Sequence, residues 1–325
     1  MASNPIADIF RIKDLRERVL FTLFALGVFR LGATIPIPGI NLNALQLYFD
    51  TQQASGGISV TDYLDFFAGG AFSRFSVFML GIMPYISMSI IMQLLLLVFP
   101  ALKRISQEDG GRKKIQRYTR YGTVIVAIIQ SFAVTVYADS IPDAITINRG
   151  LYTVVSMIAV TSGTVFLMWL GEQINQRGIG NGISLLIFAG IVAQLPNAIW
   201  LLGSRIQSGD LNPVFVIVVM AMFVAVVALV VYEQRGQRKI PIHYAKRVVG
   251  RRMYGAQNTY VPFKINPSGV IPVIFASSVL TFPLQIAQEF GPEVRWLQRV
   301  AFFMRPDGNA YLIIYTLLIV FFAYF

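Results

Sequence analysis

Few side chains in this 325-residue sequence could do covalent or acid–base chemistry. It holds no cysteine, which removes disulfides, thiolate metal sites and cysteine nucleophiles. His243 is the single histidine and lies in a polar, basic stretch without a matched carboxylate, so it reads as a solvated loop residue. Glu172 is the nearest candidate for an intramembrane ion or proton site, at the end of its apolar segment in GEQINQRGIGNG, where a solvated or loop-pairing role is expected. The polar groups inside the apolar segments are mainly uncharged: Ser87, Gln93, Gln130, Gln194 and Gln285, suited to hydrogen bonding between helices. An intramembrane enzyme needs positioned acids, bases, nucleophiles or a metal, and a coupled carrier leaves ionisable relay groups in its spans. Neither pattern is present, so no catalysis, cofactor or metal is expected. What spacing does offer is apolar: Ile82 with Ile86, and Ile183 with Ile187, stand four residues apart and so share a helix face. Such a stripe is ordinary core packing unless it lines a pathway closed by packing.

The elements that must position these residues are apolar and long. Apolar residues make up 55% of the chain and charged ones 13%, with a mean hydropathy of +0.63. That is too little charge to cover a water-soluble surface. A membrane-crossing helix needs about 20 apolar residues. Eight stretches meet or approach that length: 19–35, 76–99, 121–137, 151–170, 183–202, 213–232, 269–290 and 311–325. The net charge of +11 is distributed by topology. With the N-terminus inside, twenty Lys and Arg fall on inner segments and six on outer ones, and only Arg30 falls within a span. Cytoplasmic loops carry the basic excess, so a cytoplasmic N-terminus is expected. The N-terminal segment 1–18 carries Asp8, Asp14 and Glu17 and no cleavage pattern, unlike a removed signal peptide. The last residues, LLIVFFAYF, stop inside an apolar run, as a truncated chain would.

Two irregularities interrupt this plan. The segment 60–75, VTDYLDFFAGGAFSRF, is apolar and aromatic but too short to span and broken by Gly69 and Gly70. It reads either as a re-entrant, pore-capping piece or as an interfacial loop helix; non-helical backbone at membrane depth is tolerated only against protein or a water-filled cavity. The second irregularity is proline inside spans, Pro84 after Gly81 and Pro272 after Gly269, which kinks helices of the kind that line cavities.

Seven collinear stretches carry a resemblance: FRLGATIPIPGI (29–40), GGAFSRFSVFMLGIMPYIS (69–87), QRYTRYGT (116–123), MWLGEQINQRGIGNGISLLIFAGIV (168–192), EQRGQRKI (233–240), YAKRVVGRRMYGAQ (244–257) and GVIPVIFASS (269–278). In order and spacing the chain resembles the SecY family, the pore subunit of the bacterial protein-translocation channel.

That resemblance implies an all-α, polytopic membrane helix bundle of ten spans in two pseudo-symmetric halves around an hourglass pore. Residues 19–202 would form the first half, spans one to five with a plug at 60–75. Residues 213–325 would form part of the second, spans six to eight with a basic cytoplasmic loop at 233–264. Spans nine and ten would be lacking, so eight of ten are expected. The resemblance places Ile82, Ile86, Ile183, Ile187 and Ile274 in the pore ring. It places Tyr63, Leu64, Phe66, Phe67, Gly69 and Gly70 in the plug, and Ser87, Gln130 and Phe282 at the lateral gate. Lys239, Arg251 and Arg252 match residues that dock a ribosome, through its RNA, or the SecA motor. Implied partners are SecE and SecG-like small membrane subunits, signal peptides, nascent chains and lipid. The implied location is the bacterial plasma membrane, and the implied function is passage of unfolded secretory polypeptides with lateral release of apolar segments into lipid. A secondary transporter of a small solute is the alternative, since inverted repeats and broken helices give similar hydropathy.

Overall fold

The apolar stretches become helices in a computed structural model, which describes residues 12–54, 65, 68–139, 141–209, 211–242, 247–249, 252–254, 259–265, 269, 272–273, 275–277, 279–280, 299 and 308–324. In chain order the helices are α1 (Lys13–Gly32), α2 (Leu42–Ala54), α3 (Met83–Val98), α4 (Pro100–Gln107), α5 (Gly111–Asp139), α6 (Arg149–Arg177), α7 (Gly182–Gln207), α8 (Pro213–Arg235) and α9 (Asn309–Tyr324). Four short strands lie between α8 and α9: β1 (Gln237–Ile242), β2 (Arg247–Val249), β3 (Arg252–Tyr254) and β4 (Thr259–Lys264).

Among the described residues four helices, α5 to α8, are long and apolar enough to cross a membrane, and the bent pair α3 and α4 makes a fifth. α1 covers the first expected span but begins in the charged run from Lys13, and α9 is an apolar helix of 16 residues. Most of the expected span 269–290 lies outside the described residues. The expected span 76–99 is divided differently from its hydropathy. Residues 76–82 are turns, the helix starts only at Met83 with Pro84 in its first turn, and the chain bends by 103° at Phe99 before α4. Pro84 and Pro100 therefore sit at helix starts, where a missing N–H costs nothing, rather than as kinks.

The chain divides into two compact units, Met1–Pro196 with Ile274–Phe322, and Asn197–Val273 with Ala323–Phe325. In the first, α5 and α6 pack along small and hydroxyl-bearing residues. Thr119, Thr123, Ala127, Ser131 and Thr135 are buried at helical spacing on α5, and Ser156, Val160, Gly163 and Thr164 on α6. Lipid tails are as apolar as leucine, so helices in a membrane associate through close packing and interhelical hydrogen bonds. Ser131 and Thr161 hydroxyls meet at 3.3 Å, and Thr135 Oγ1 donates to Ser156 Oγ at 3.2 Å. At Gly163 a side chain would overlap the Val77 carbonyl, so glycine lets the turn 76–82 lie directly on α6. The connections between these helices are tied by main-chain bonds: Ile37 N–H donates to Phe75, Val77 N–H to Ile35, and Asn41 N–H to Ala144.

In the second unit, α8 has no buried residue although it is almost entirely aliphatic, the exposure expected of a helix solvated by lipid. Asn212 caps it by accepting from the Val214 N–H at 2.9 Å, with Pro213 in the first turn. The basic segment after it was expected as a loop but carries two antiparallel ladders. β1 pairs with β4 from Gln237↔Lys264 to Ile242↔Thr259, and β2 with β3 from Arg247↔Tyr254 to Val249↔Arg252.

Candidate functional site

Ile82, Ile86, Ile183 and Ile187 belong to one apolar cluster in the first unit. Ile82 and Ile86 are 6% and 5% exposed, while Ile183, Ile187 and Phe275 are partly buried against the same cluster. The isoleucine pair of α3 differs from a plain helical stripe. Ile82 is the N-cap, outside the helix, and its carbonyl accepts from the Ile86 N–H at 3.1 Å, which preserves the stacking that i, i+4 spacing suggested. Ile183 and Ile187 lie on α7, whose start is set by Asn181 accepting from the Ile183 N–H and by Gly182, where a side chain would strike the Gly171 carbonyl. Ile274 lies outside the described residues.

Next to it stands the end of the segment 60–75. Tyr63, Leu64, Phe66 and Phe67 lie outside the described residues; Asp65 and Ala68 to Phe75 are described. Gly69 and Gly70 have φ of +70° and +81°, the left-handed region that favours glycine. At Gly69 a Cβ would also stand 2.7 Å from the Cα of Gly190 on α7, so glycine is required twice over. The turn is closed by the Gly70 N–H donating to the Asp65 carbonyl at 3.0 Å and the Ser73 N–H donating to Asp65 Oδ1 at 2.9 Å. Phe75, with φ of +44°, is completely buried and stacks on Tyr137, so packing holds a backbone conformation that a bulky residue otherwise avoids.

Two side chains from elsewhere reach this turn. Arg30 Nη1 on α1 donates to the Gly69 carbonyl at 2.8 Å, and Gln194 Nε2 on α7 donates to the Asp65 carbonyl at 3.1 Å. Sequence reasoning assigned neither a role at the segment, although a lone Arg within a span was a visible signal. It also misjudged Glu172. That carboxylate is buried and pairs across helices, accepting from Arg120 Nε at 2.7 Å and from Gln116 Nε2 at 3.3 Å.

Of the residues expected at the lateral gate, Ser87 and Gln130 are described. Ser87 is half-buried on α3, beside Met88, whose side chain fills the space at Gly122 of α5. Gln130 is eight residues further along α5, about 12 Å of helix rise, and is buried with Oε1 lacking a hydrogen-bond partner among the described residues. Phe282 lies outside the described residues. In the basic segment Lys239 is exposed on β1, its Nζ 4.7 Å from the centre of the Tyr260 ring on β4. Arg252 is described only as a strand residue, and Arg251 lies outside the described residues.

A family model described as SecY matches residues 76–325. The protein translocase subunit SecY of Borreliella burgdorferi is 47% identical over 98% of this chain and 72% of its own length. That of Escherichia coli K12 is 44% identical over the whole chain and 75% of its own. Among solved structures, a protein-conducting channel matches with a TM-score of 0.67 at 19% identity, covering 99% of this chain and 76% of the other. A SecY structure described by a plug domain that stabilises the closed state and maintains a membrane seal matches with a TM-score of 0.60 at 21% identity, over 89% and 64%. Sec61 in the canine ribosome–channel complex matches with a TM-score of 0.59 at 20% identity, again over 89% and 64%. The structural likenesses establish the fold, and the sequence identities reach further: this is a multi-pass membrane protein that belongs to the SecY family of protein translocase subunits.

Proposed function

We propose that this chain provides the conduit through which a translocase passes unfolded polypeptides, with the isoleucine cluster as its resting constriction and segment 60–75 as the plug over it. The observation that carries this reading is the meeting of Ile82, Ile86, Ile183 and Ile187, from two separate elements, in one apolar cluster beside a glycine-broken segment. A narrow apolar constriction excludes ions by dewetting. Branched aliphatics also offer no hydrogen-bond partner, so a polypeptide can slide past without sticking. Ile274 would complete the ring on this side, and residues 19–202 and 213–325 would be the two halves around it. The chain supplies no catalytic group and no ion coupling of its own.

Ser87, Gln130 and Phe282 are proposed as the lateral gate. Ten leucines of a signal helix gain roughly 3 to 6 kcal/mol on entering lipid, whereas one central Arg costs roughly 2.5 to 3.5 kcal/mol. A gate that lets each segment sample lipid would sort membrane helices from secreted segments on that difference. The proposed setting is the bacterial plasma membrane with the N-terminus cytoplasmic, alongside SecE and SecG-like subunits. The basic segment 233–264 would dock SecA or a ribosome, the class of partner that Sec61 has in the structure described above. Its hairpin supports this: β1 and β4 hold Lys239, Arg238 and Lys264 on one exposed ladder.

The decisive assay uses the full-length translocase in liposomes. Motor-driven or ribosome-driven passage of an unfolded polypeptide is expected; gradient-driven uptake of a small solute without it would replace this reading by the transporter. Charge reversal of Arg251 and Arg252 should weaken SecA or ribosome binding at low salt while leaving insertion topology intact, because Arg235, Arg238 and Lys239 remain near the preceding span.

A further inference from the structure

We propose that Arg30 and Gln194 form a two-point latch that holds the root of segment 60–75 seated in the resting channel. The inference rests on the plug reading above and adds to it the residues that set how readily the segment leaves.

An arginine inside a span is costly and persists where it pairs with other charges or with backbone carbonyls. Arg30, in the last turn of α1, makes a bond of the second kind, from Nη1 to the carbonyl of Gly69 at 2.8 Å. Gln194, from a helix more than 160 residues later in the chain, donates to the carbonyl of Asp65 at 3.1 Å. The two acceptors are four residues apart in sequence, so the two bonds hold the chain at two separate points. The segment is also held locally. Its Asp65 carbonyl also accepts from Gly70 N–H, its Asp65 carboxylate from Ser73 N–H, and Gly69 lies against Gly190 with no space for a Cβ. Both acceptors are main-chain oxygens, so the latch does not depend on which side chains the segment carries. Displacing the segment breaks both bonds at once and returns Arg30 and Gln194 to water in the emptied funnel, which makes the cost of release small enough to be met by an arriving polypeptide.

Planar-bilayer recording of the full-length translocase tests this with Arg30→Gln, Arg30→Lys and Gln194→Leu, each made also in a background lacking residues 60–75. Losing a charge-assisted hydrogen bond should raise resting ion conductance about tenfold, and losing the neutral one about threefold. Arg30→Lys, which keeps a charged donor, should stay near the wild-type value. In the deletion background, already leaky, neither Arg30→Gln nor Gln194→Leu should add conductance. A tight Arg30→Gln and Gln194→Leu beside a leaky deletion would overturn the latch and leave the plug reading standing. A deletion that does not leak would overturn both. Added leak from Arg30→Gln in the deletion background would show that Arg30 acts on the pore itself. If Arg30→Gln fails to assemble, Gln194→Leu carries the same test alone.

Discussion

The isoleucine cluster and the root of segment 60–75 lie within one compact unit and are held by opposite physics. Ile82 and Ile86 lie in one apolar cluster and Ile183 and Ile187 pack against it, through contacts that have no direction, so apolar filling of similar volume satisfies them. At the root, Asp65 and Gly69 are fixed by hydrogen bonds of 2.8 to 3.1 Å and by a glycine that admits no substitute. The contrast suits a barrier that must open repeatedly. On the function proposed above, an apolar ring could part and close around chains of any sequence, whereas a plug would need one defined place to return to. Width therefore governs the ring, and geometry governs the root.

The largest effect should come from emptying the ring. Replacing Ile82, Ile86, Ile183, Ile187 and Ile274 with Gly in the full-length translocase removes the branched side chains that this chain is proposed to place at the constriction. Resting conductance in planar bilayers should rise at least as far as in the variant lacking residues 60–75. Unchanged conductance would reduce these residues to ordinary packing and dissolve the comparison. Next comes Gly69→Val. The left-handed conformation costs a β-branched residue about 1 to 3 kcal/mol, before its clash with Gly190 is counted. That is roughly tenfold or more in the ratio of seated to unseated segment, and the leak should approach that of the deletion. A tight Gly69→Val channel would show that the root tolerates more than its geometry suggests.

A third prediction concerns the frame that holds both regions. Glu172 is buried and Arg120 is about half-exposed, so the two ends of their ion pair are unequal. Arg120→Ala strands a buried carboxylate and should destabilise the purified protein by about 3 kcal/mol, near the low end for breaking a buried pair. Glu172→Gln, which keeps an acceptor and leaves Arg120 in contact with water, should cost about 1 kcal/mol. Thermal unfolding in detergent would compare them; equal losses would mean that desolvation of Glu172 is not the deciding term.

The apolar elements that carry the isoleucines were more legible in the sequence than the root of segment 60–75, for a physical reason. Apolar length announces α5 to α8, and i, i+4 spacing announces Ile183 with Ile187, because both signals are local. Gly69 and Gly70 likewise marked a break within their own segment. The contacts that fix the root join residues 39 and 129 positions apart, and Arg120 meets Glu172 across 52 positions, so no window of sequence contains them. The division of 76–99 was hidden differently. Residues 76–82 are as apolar as a span but are drawn into turns by main-chain bonds to 35–37 and by the close approach of Gly163 to Val77. In the basic segment the net charge drew attention to topology, while the alternation that builds β1 and β4 is only six residues long on each side.

The smallest effect should come from Ile86→Leu. Leucine conserves volume and apolarity and moves one methyl group, a change that well-packed interiors usually absorb at a cost below about 1.5 kcal/mol. Ile86 is buried in the cluster, and its main-chain bond to Ile82 does not depend on the side chain. If the ring works by width and dryness, conductance should remain within about a factor of two of wild type, whereas Ile86→Asn, of similar size but able to hold water at the constriction, should raise it clearly. The pair isolates polarity from volume at one position. Equal leak from Leu and Asn would mean that the cluster depends on the shape of isoleucine, and would place the ring in the same geometric class as the root.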